Sequence, residues 1–478
     1  MKLIASWVAH AMEGTLAGDG MHEFSGVSID TRTIKPGELF IAIRGERFDG
    51  AQFIDAAVAA GAAGVVAPRG RNEAIRLKAA ATKADASVAS GFSRIAPVVI
   101  EVDDTTRALQ SLARAIRRES GTKVVAITGS AGKTTTKEVA SAFLSPWFRV
   151  IRNQGNLNNH IGLPLSLIEL RRQPEIAVVE LGMNHAGEIS TLVGVAEPEV
   201  RVWTNVGEAH VGFFASVDAI ADAKAEIFEG ASRSDVLVAN ADDERIVGRL
   251  PRFGGRVVTF GIDRDADVRA IDVIDRGVNG MQAQIVAPEG RVDMTTPLAG
   301  RANLANILAA TAVALEFRVP LTDIADRAAS LQAAAHRGEI VRLSDGATLI
   351  DDSYNANPTA TRRALEVLAQ SEAKRRIAVL GEMLELGEHA TALHEGVGRA
   401  AAIARVDVLL TVGGAPAAAL AEAAVAAGLP RSQVRHFATS DEAAAALGRL
   451  VGRGDLVLVK GSRGIRTDRV VERLKERG

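Results

Sequence analysis

The sequence predicts an α/β protein built on parallel sheets with helices on both faces, and three observations carry that prediction. Seven short runs are dominated by β-branched and aliphatic residues and give way to glycine or a polar residue: residues 124–127, 176–181, 200–204, 236–239, 377–380, 408–412 and 456–459. Strands buried on both faces read this way. Helical patterns such as 134–144 and 304–316 alternate with them, the rhythm of βαβ units. At 478 residues, with 47% apolar residues, the chain is long enough for about three domains of roughly 150 residues, each with its own core.

Composition narrows the function classes. Fifty-six basic residues against 58 acidic ones give a net charge of −2, which argues against a dedicated nucleic-acid binder. Aromatics are 4% of the chain with a single tyrosine, so a base-stacking platform is not expected. Cysteine is absent, which excludes disulfides, thiolate metal sites and a catalytic thiol. The longest uncharged apolar run, about 408–421, contains Gly-Gly and Pro and is shorter than the roughly 18 residues of a membrane helix. The apolar stretch 3–8 is shorter than the roughly 7–15 residues of a signal-peptide core. A soluble, cytoplasmic protein without membrane or nucleic-acid partners is expected.

Three blocks follow in order. Block 1–100 holds apolar runs at 40–43 and 64–67, a small α/β unit, and a polar Ala/Ser-rich stretch at 82–90 that reads as a surface insertion. Block 101–318 holds most of the strands. Within it, 267–297 alternates around Pro288-Glu289-Gly290 and predicts an antiparallel hairpin or meander appended to the sheet. Val319-Pro320 is expected to end a helix, because the residue before proline is pushed out of the α region. Block 319–478 follows, with Ala-rich helices at 417–427 and 443–447.

The most informative stretch is Val124-Val125-Ala126-Ile127-Thr128-Gly129-Ser130-Ala131-Gly132-Lys133-Thr134-Thr135-Thr136. A strand enters a glycine-containing turn and a helix leaves it. Glycines let backbone N–H groups converge on phosphate oxygens, and the helix N-terminus adds a favourable dipole. Lys133 would reach the outer phosphates and the Thr134 hydroxyl would ligate Mg²⁺. The loop is a shortened Gly-x-x-Gly-Lys-Thr, since Ile127 stands where the longer motif begins with glycine. It predicts nucleotide-phosphate binding through Thr128, Gly129, Ser130, Ala131, Gly132, Lys133, Thr134 and Thr135, which the resemblance named below assigns to ATP. A phosphate loop alone would serve a GTPase, a kinase or a motor equally well.

What discriminates is the next layer: Gly155-Asn156-Leu157-Asn158-Asn159-His160, Val179-Glu180-Leu181-Gly182-Met183-Asn184-His185, Thr204-Asn205-Val206-Gly207-Glu208-Ala209-His210 and Ala223-Lys224-Ala225-Glu226. With these the sequence resembles the Mur ligases, the ATP-dependent amino-acid ligases of peptidoglycan precursor assembly. Asp351-Asp352-Ser353-Tyr354-Asn355-Ala356-Asn357-Pro358 and Gly381-Glu382-Met383-Leu384-Glu385-Leu386-Gly387-Glu388 narrow the resemblance to members that add D-Ala-D-Ala to UDP-N-acetylmuramoyl-tripeptide. It runs from Ser28-Ile29-Asp30-Thr31-Arg32 to Lys460-Gly461-Ser462-Arg463.

The resemblance implies three domains: a uridine-nucleotide-binding N-terminal domain, a central P-loop ATPase domain with a parallel sheet, and a Rossmann-like C-terminal domain. It implies ATP, Mg²⁺ and a carbamylated lysine, Lys224, as cofactors, with UDP-N-acetylmuramoyl-tripeptide and D-Ala-D-Ala as substrates and a monomeric enzyme. Glu180 ends an apolar strand, where a carboxylate reaches the carboxyl edge of the sheet; by resemblance it ligates metal with Thr134, His210 and Lys224. A lone histidine in a loop is more often a surface residue, so His210 draws its role from its motif. Asn303, Arg337, Asp352 and Asn355, with Asn357, match positions that complete the ATP site. Ser28, Asp30, Arg32 and Arg44 resemble a uridine-diphosphate pocket. The amide-rich Asn156, Asn158 and Asn159, with Asn184 and His185, resemble a muramoyl-peptide site, although a polar turn before a helix would read similarly. Lys460 and Arg463 are expected to face the dipeptide.

Two positions depart from the family pattern. Ala302 and Ala51 stand where its members usually carry histidine, which bears on contacts to adenine and to the nucleotide substrate, not on phosphate chemistry. Sister ligases that add a diamino acid, or glutamate to folate, are the nearest alternatives, and Tyr354-Asn355-Ala356-Asn357 argues against them. A P-loop binding protein without catalysis is the alternative of a different class. Joint presence of Lys133, Thr134, Glu180, His210 and Lys224 argues against that.

Overall fold

The computed structural model describes residues 1–45, 48–71, 75 and 97–476; the 82–90 stretch lies outside them. The chain forms two compact units, residues 1–124, 149–181 and 190–198 in one and residues 125–148, 182–189 and 199–478 in the other.

The first unit is built on a five-stranded sheet in the order Thr15–Ala17, Val98–Val102, Gly64–Pro68, Leu39–Ile41, Val27–Ser28. All neighbours are parallel except Thr15–Ala17, which runs antiparallel to Val98–Val102. The apolar runs at 40–43 and 64–67 thus supply two of its strands. Val98–Val102 is an inner, mostly buried strand of this sheet, so the first block extends past residue 100. The helix Thr105–Ser120 follows, with Asp104 accepting the Thr106 and Arg107 N–H groups at its start. Ala108, Leu109, Leu112, Ala113 and Ile116 are buried along one stripe, the spacing of an amphipathic helix. In the same unit, Val150–Arg152 and Ile176–Glu180 pair in parallel.

The second unit carries two sheets. In one, Lys123–Thr128, Val200–Trp203, Val236–Asn240, Arg256–Gly261 and Val268–Asp275 lie side by side in parallel. Met281–Ala287 and Gly290–Thr296 then continue the sheet antiparallel, the meander expected for 267–297. The helix Lys133–Leu144 packs against the largely buried helix Arg301–Glu316. Pro320 does not open a new domain. It precedes the helix Leu321–Ala328, whose Leu321, Ile324, Ala325 and Ala328 are buried and which packs on Gly290–Thr296. That apolar face keeps the helix with the first of the two sheets, so the junction lies beyond 318–319.

The other sheet has six strands in the order Glu339–Arg342, Thr348–Asp352, Asp455–Lys460, Arg375–Gly381, Val408–Val412, Val434–Phe437. Only the Glu339–Arg342 pairing is antiparallel. Its core joins Leu349, Ile377, Val379, Leu410, Val412, Val457 and Val459 to Leu447, Val470 and Leu474 on the covering helices. The Ala-rich helices are Ala415–Ala426 and Ser440–Gly448. Among the described residues no helix is long and apolar enough to cross a membrane.

Candidate active site

The strand Lys123–Thr128 ends at the loop Gly129-Ser130-Ala131-Gly132, and the helix Lys133–Leu144 starts directly after it. Two glycines are required here. Gly129 has φ +150° and Gly132 φ +83°, where L side chains are strained. A Cβ on Gly129 would overlap the Thr204 hydroxyl, and one on Gly132 would overlap the Asn306 amide oxygen. Side chains from the loop after Val200–Trp203 hold the turn. Asn205 accepts from the Ala131 N–H at 2.9 Å and donates to the Ala131 carbonyl at 2.9 Å. The Ser130 hydroxyl accepts from the Gly207 N–H at 2.9 Å and donates to the Gly207 carbonyl at 3.1 Å. Lys133 Nζ donates to the Gly129 carbonyl at 2.8 Å, across the mouth of the loop. The loop runs directly into the N-terminus of the helix Lys133–Leu144, whose first N–H groups and dipole make the turn an anion cradle.

Lys224, on the helix Val217–Ala225, is 2% exposed. Burial, reinforced by the positive charge of Lys133, pushes its amine well below the usual lysine value. His210 follows Val200–Trp203 in a left-handed conformation, φ +62°, and its Nδ1 lies 2.6 Å from a Glu385 carboxylate oxygen, leaving Nε2 as the ring's other donor position. In the first unit, Glu180 is 2% exposed at the end of its strand and accepts from the Asn158 amide at 2.8 Å. Among the described residues, no three His, Asp or Glu side chains gather as a metal cage.

Beyond these, Arg337 stacks its guanidinium 3.9 Å from the Tyr354 ring centroid. Asn303 donates to the Ala299 carbonyl at 2.9 Å. Asn355 is exposed, and Asn357 caps the helix Pro358–Gln370 through the Ala360 N–H. Lys460 is 3% exposed and donates to Asp352 at 2.6 Å and to the Asn355 carbonyl at 3.0 Å, so its ammonium anchors Asp352. Arg463, mostly exposed, bonds Asp468 at 3.3 Å.

In the first unit, Ser28 and Arg32 both engage Asp30. The hydrogen bonds from Arg32 hold that carboxyl at about 2. Arg44 sits in an isolated bridge with Asp49, and Ala51 is buried, its N–H donated to Asp49. Asn156 is exposed, and Asn159 accepts from the Ile161 and Gly162 N–H groups. In the second unit, exposed Asn184 and His185 donate their backbone N–H groups to Glu188, and the His185 ring lies 4.9 Å from that of Phe213.

Sequence reasoning missed Glu208. It accepts from the Thr359 hydroxyl and, at 2.7 Å, from Arg362. Burial works to raise its carboxyl, but the bonds from Thr359, its own N–H and Arg362 outweigh burial and hold it below the ordinary glutamate range. These partners stand over 150 residues on, so no local pattern could announce them. Asn205, quoted only within its motif, is the residue that shapes the loop.

Comparison with known proteins agrees along the whole chain. Residues 23–117 match the Mur ligase family catalytic domain, 127–314 the Mur ligase middle domain and 336–463 the Mur ligase glutamate ligase domain. The chain is 34% identical to a UDP-N-acetylmuramoyl-tripeptide--D-alanyl-D-alanine ligase of Bacillus subtilis, over 98% of this chain and 97% of that one. It superposes on the crystal structure of MurF from Acinetobacter baumannii with a TM-score of 0.87 at 30% identity, covering 100% and 99% of the two chains. MurF from Thermotoga maritima in complex with ADP gives a TM-score of 0.79 at 28% identity, covering 94% and 97%. On the fold, the phosphate loop and these full-length likenesses, the chain belongs to the Mur ligase family.

Proposed function

We propose that the chain joins D-Ala-D-Ala to UDP-N-acetylmuramoyl-tripeptide, converting ATP to ADP and phosphate and yielding the UDP-muramoyl-pentapeptide precursor of peptidoglycan. The observation that carries this reading is the glycine-locked loop Gly129–Lys133 in a chain that matches ligases of that name from end to end. A carboxylate is a poor electrophile. The tripeptide's terminal carboxylate oxygen therefore attacks the γ-phosphorus, the bond to ADP breaks, and an acyl phosphate forms. The dipeptide amine then attacks the acyl carbon, the tetrahedral intermediate expels phosphate, and the amine proton leaves with it.

Two polyanions must be gathered for this, and the loop N–H groups and the Lys133 ammonium neutralise the outer phosphates. We assign Thr128 to Thr135, Asn303, Arg337, Asp352 and Asn355 to ATP, with Lys460 orienting Asp352. Ser28, Asp30, Arg32 and Arg44 hold the uridine diphosphate. Asn156, Asn158, Asn159, Asn184 and His185 hold the muramoyl peptide, and Arg463 meets the dipeptide carboxylate. Bound Mg²⁺ supplies charge neutralisation on the transferring phosphate, and Thr134, Glu180, His210 and Lys224 would hold it. We propose that Lys224 serves as a carbamate: its buried, proton-poor amine is the nucleophile CO₂ requires, forming an N–C bond with loss of one proton. Protein equilibrated with ¹³CO₂ should show a carbamate carbon signal that Lys224→Ala lacks, and no such signal would remove the assignment. A reaction that consumes ATP and a nucleotide-linked sugar belongs in the cytoplasm, and a single copy supplies every residue named.

The decisive assay is ADP release by the purified protein with ATP, Mg²⁺, the UDP-tripeptide and D-Ala-D-Ala. Pentapeptide product is expected. Release that depends on a diamino acid or on glutamate instead would point to a sister ligase.

A further inference from the structure

His336 is one of the few non-glycine residues with a left-handed backbone, φ +60°. Such a conformation persists where its surroundings over-determine it, and here they do. The ring Nδ1 lies 2.8 Å from Asp351, whose carboxylate is wholly buried. The His336 carbonyl accepts from the Tyr354 N–H at 3.2 Å, and the Gly338 N–H donates to the Asp351 carbonyl at 2.9 Å. Asp351 is fixed in turn, because Ser353 donates to its other oxygen at 2.6 Å and its strand pairs Asp351 with Glu339. Between these ties stands Arg337, its guanidinium carbon over the ring of Tyr354 at 3.9 Å from the centroid.

The three side chains His336, Asp351 and Ser353 resemble a hydrolytic triad in composition only. The serine hydroxyl donates to the aspartate and approaches the same ring nitrogen at 3.3 Å, so no base faces a nucleophile.

The geometry assigns His336 as a positioning residue: its bond to Asp351 holds the left-handed turn that lays the Arg337 guanidinium over Tyr354. Stacking occupies the guanidinium face and leaves its N–H edge for anionic oxygens. With the reading above, on which this rests for its consequence, those oxygens belong to the ATP phosphates.

Asparagine is the informative substitution. It tolerates the left-handed region, and its amide nitrogen sits where His336 carries Nδ1. The chain has one tyrosine, so ring-¹³C-tyrosine gives a single set of signals reporting the stack, calibrated by Arg337→Ala. His336→Ala should move that signal the way Arg337→Ala does and raise KM for ATP about tenfold, while His336→Asn should leave the signal in place and KM within about threefold of wild type. If the alanine variant does not fold, His336→Gly relieves the backbone strain without the anchor and should move the signal equally. An unmoved signal in the folded Ala or Gly variant overturns the inference. So does an asparagine variant as impaired as alanine, which would show that the ring acts through Nε2. A signal that moves while KM for ATP is unchanged in both His336→Ala and Arg337→Ala upholds the positioning and refutes the ATP role of Arg337 instead.

Discussion

Replacing Gly132 with alanine tests whether the phosphate loop is locked by its neighbours or only by its own backbone. Two costs add. At φ +83° an L-residue loses about 1–2 kcal/mol. The new Cβ would also overlap Asn306 Oδ1 and lie 3.0 Å from its Cγ and 3.1 Å from its Nδ2. Asn306 is 6% exposed, accepts from the Thr136 hydroxyl at 3.3 Å and donates to Asn303 at 3.4 Å. Turning it aside breaks both bonds, at about 1 kcal/mol each, for a total of about 3–4 kcal/mol. Gly230 is the control, with φ +63° and open space around its would-be Cβ, so Gly230→Ala should cost only the backbone term. Urea unfolding followed by circular dichroism should separate the two variants by about 2 kcal/mol. In an Asn306→Ala background the obstruction is gone and Gly132→Ala should fall to the control's cost. Equal costs for Gly132→Ala and Gly230→Ala, or no relief from removing Asn306, would refute the reasoning.

Lys133→Ala should reduce kcat/KM for ligation by at least about a thousandfold, the scale of losing a charge that acts on the transferring phosphate. Its unfolding free energy should move by less than about 1 kcal/mol, because its bond to the Gly129 carbonyl is a partly exposed one; a mutant within a few-fold of wild type would remove the loop from the reaction. Asp455 is the pH-sensitive element of the six-stranded sheet. Burial works to raise its carboxyl, but the Arg375 side chain and the Gly452 N–H outweigh burial and hold it below its ordinary value. Its folded pKa is depressed, so its stabilisation is complete above about pH 4 and is lost as pH falls through the depressed value. Asp455→Asn should therefore cost about 1–3 kcal/mol at pH 7 and flatten the acid limb of a stability–pH profile, and an unchanged limb would count against the pairing.

The strands were readable because both of their faces are buried. Val236–Asn240 and Val408–Val412 are almost wholly buried, so they appear as mainly aliphatic runs with no polar alternation. The meander was readable for the opposite reason, since Met281–Ala287 alternates buried and half-buried positions. Domain junctions were not readable. Nothing local in Val98–Val102 says which sheet it enters, and the apolar stripe of Leu321–Ala328 does not name the strand it covers. The site divides in the same way. The loop carries its own signature, but the inward turn of Lys460 follows from register, which sets Asp352 and Lys460 opposite each other on neighbouring strands. Register between strands more than a hundred residues apart is a tertiary property, and so are the partners of Glu208 and His336.

The paired bonds of the Asn205 side chain to the backbone of the phosphate loop, and of the Ser130 hydroxyl to the backbone of Gly207, have a thermodynamic consequence. Fixing one residue's backbone costs about 1–2 kcal/mol of entropy, and a loop that closes only around its ligand loses that from its affinity. Here the four residues Gly129–Gly132 are ordered during folding by the loop that follows Val200–Trp203. Nucleotide association then meets a preorganised surface, and discrimination rests on charge and shape, with no rearrangement to drive. The amides of Ser130 and Ala131, bonded to the Asn205 carbonyl and side chain, should accordingly exchange with solvent at rates set by unfolding of the sheet, whether or not a nucleotide is present.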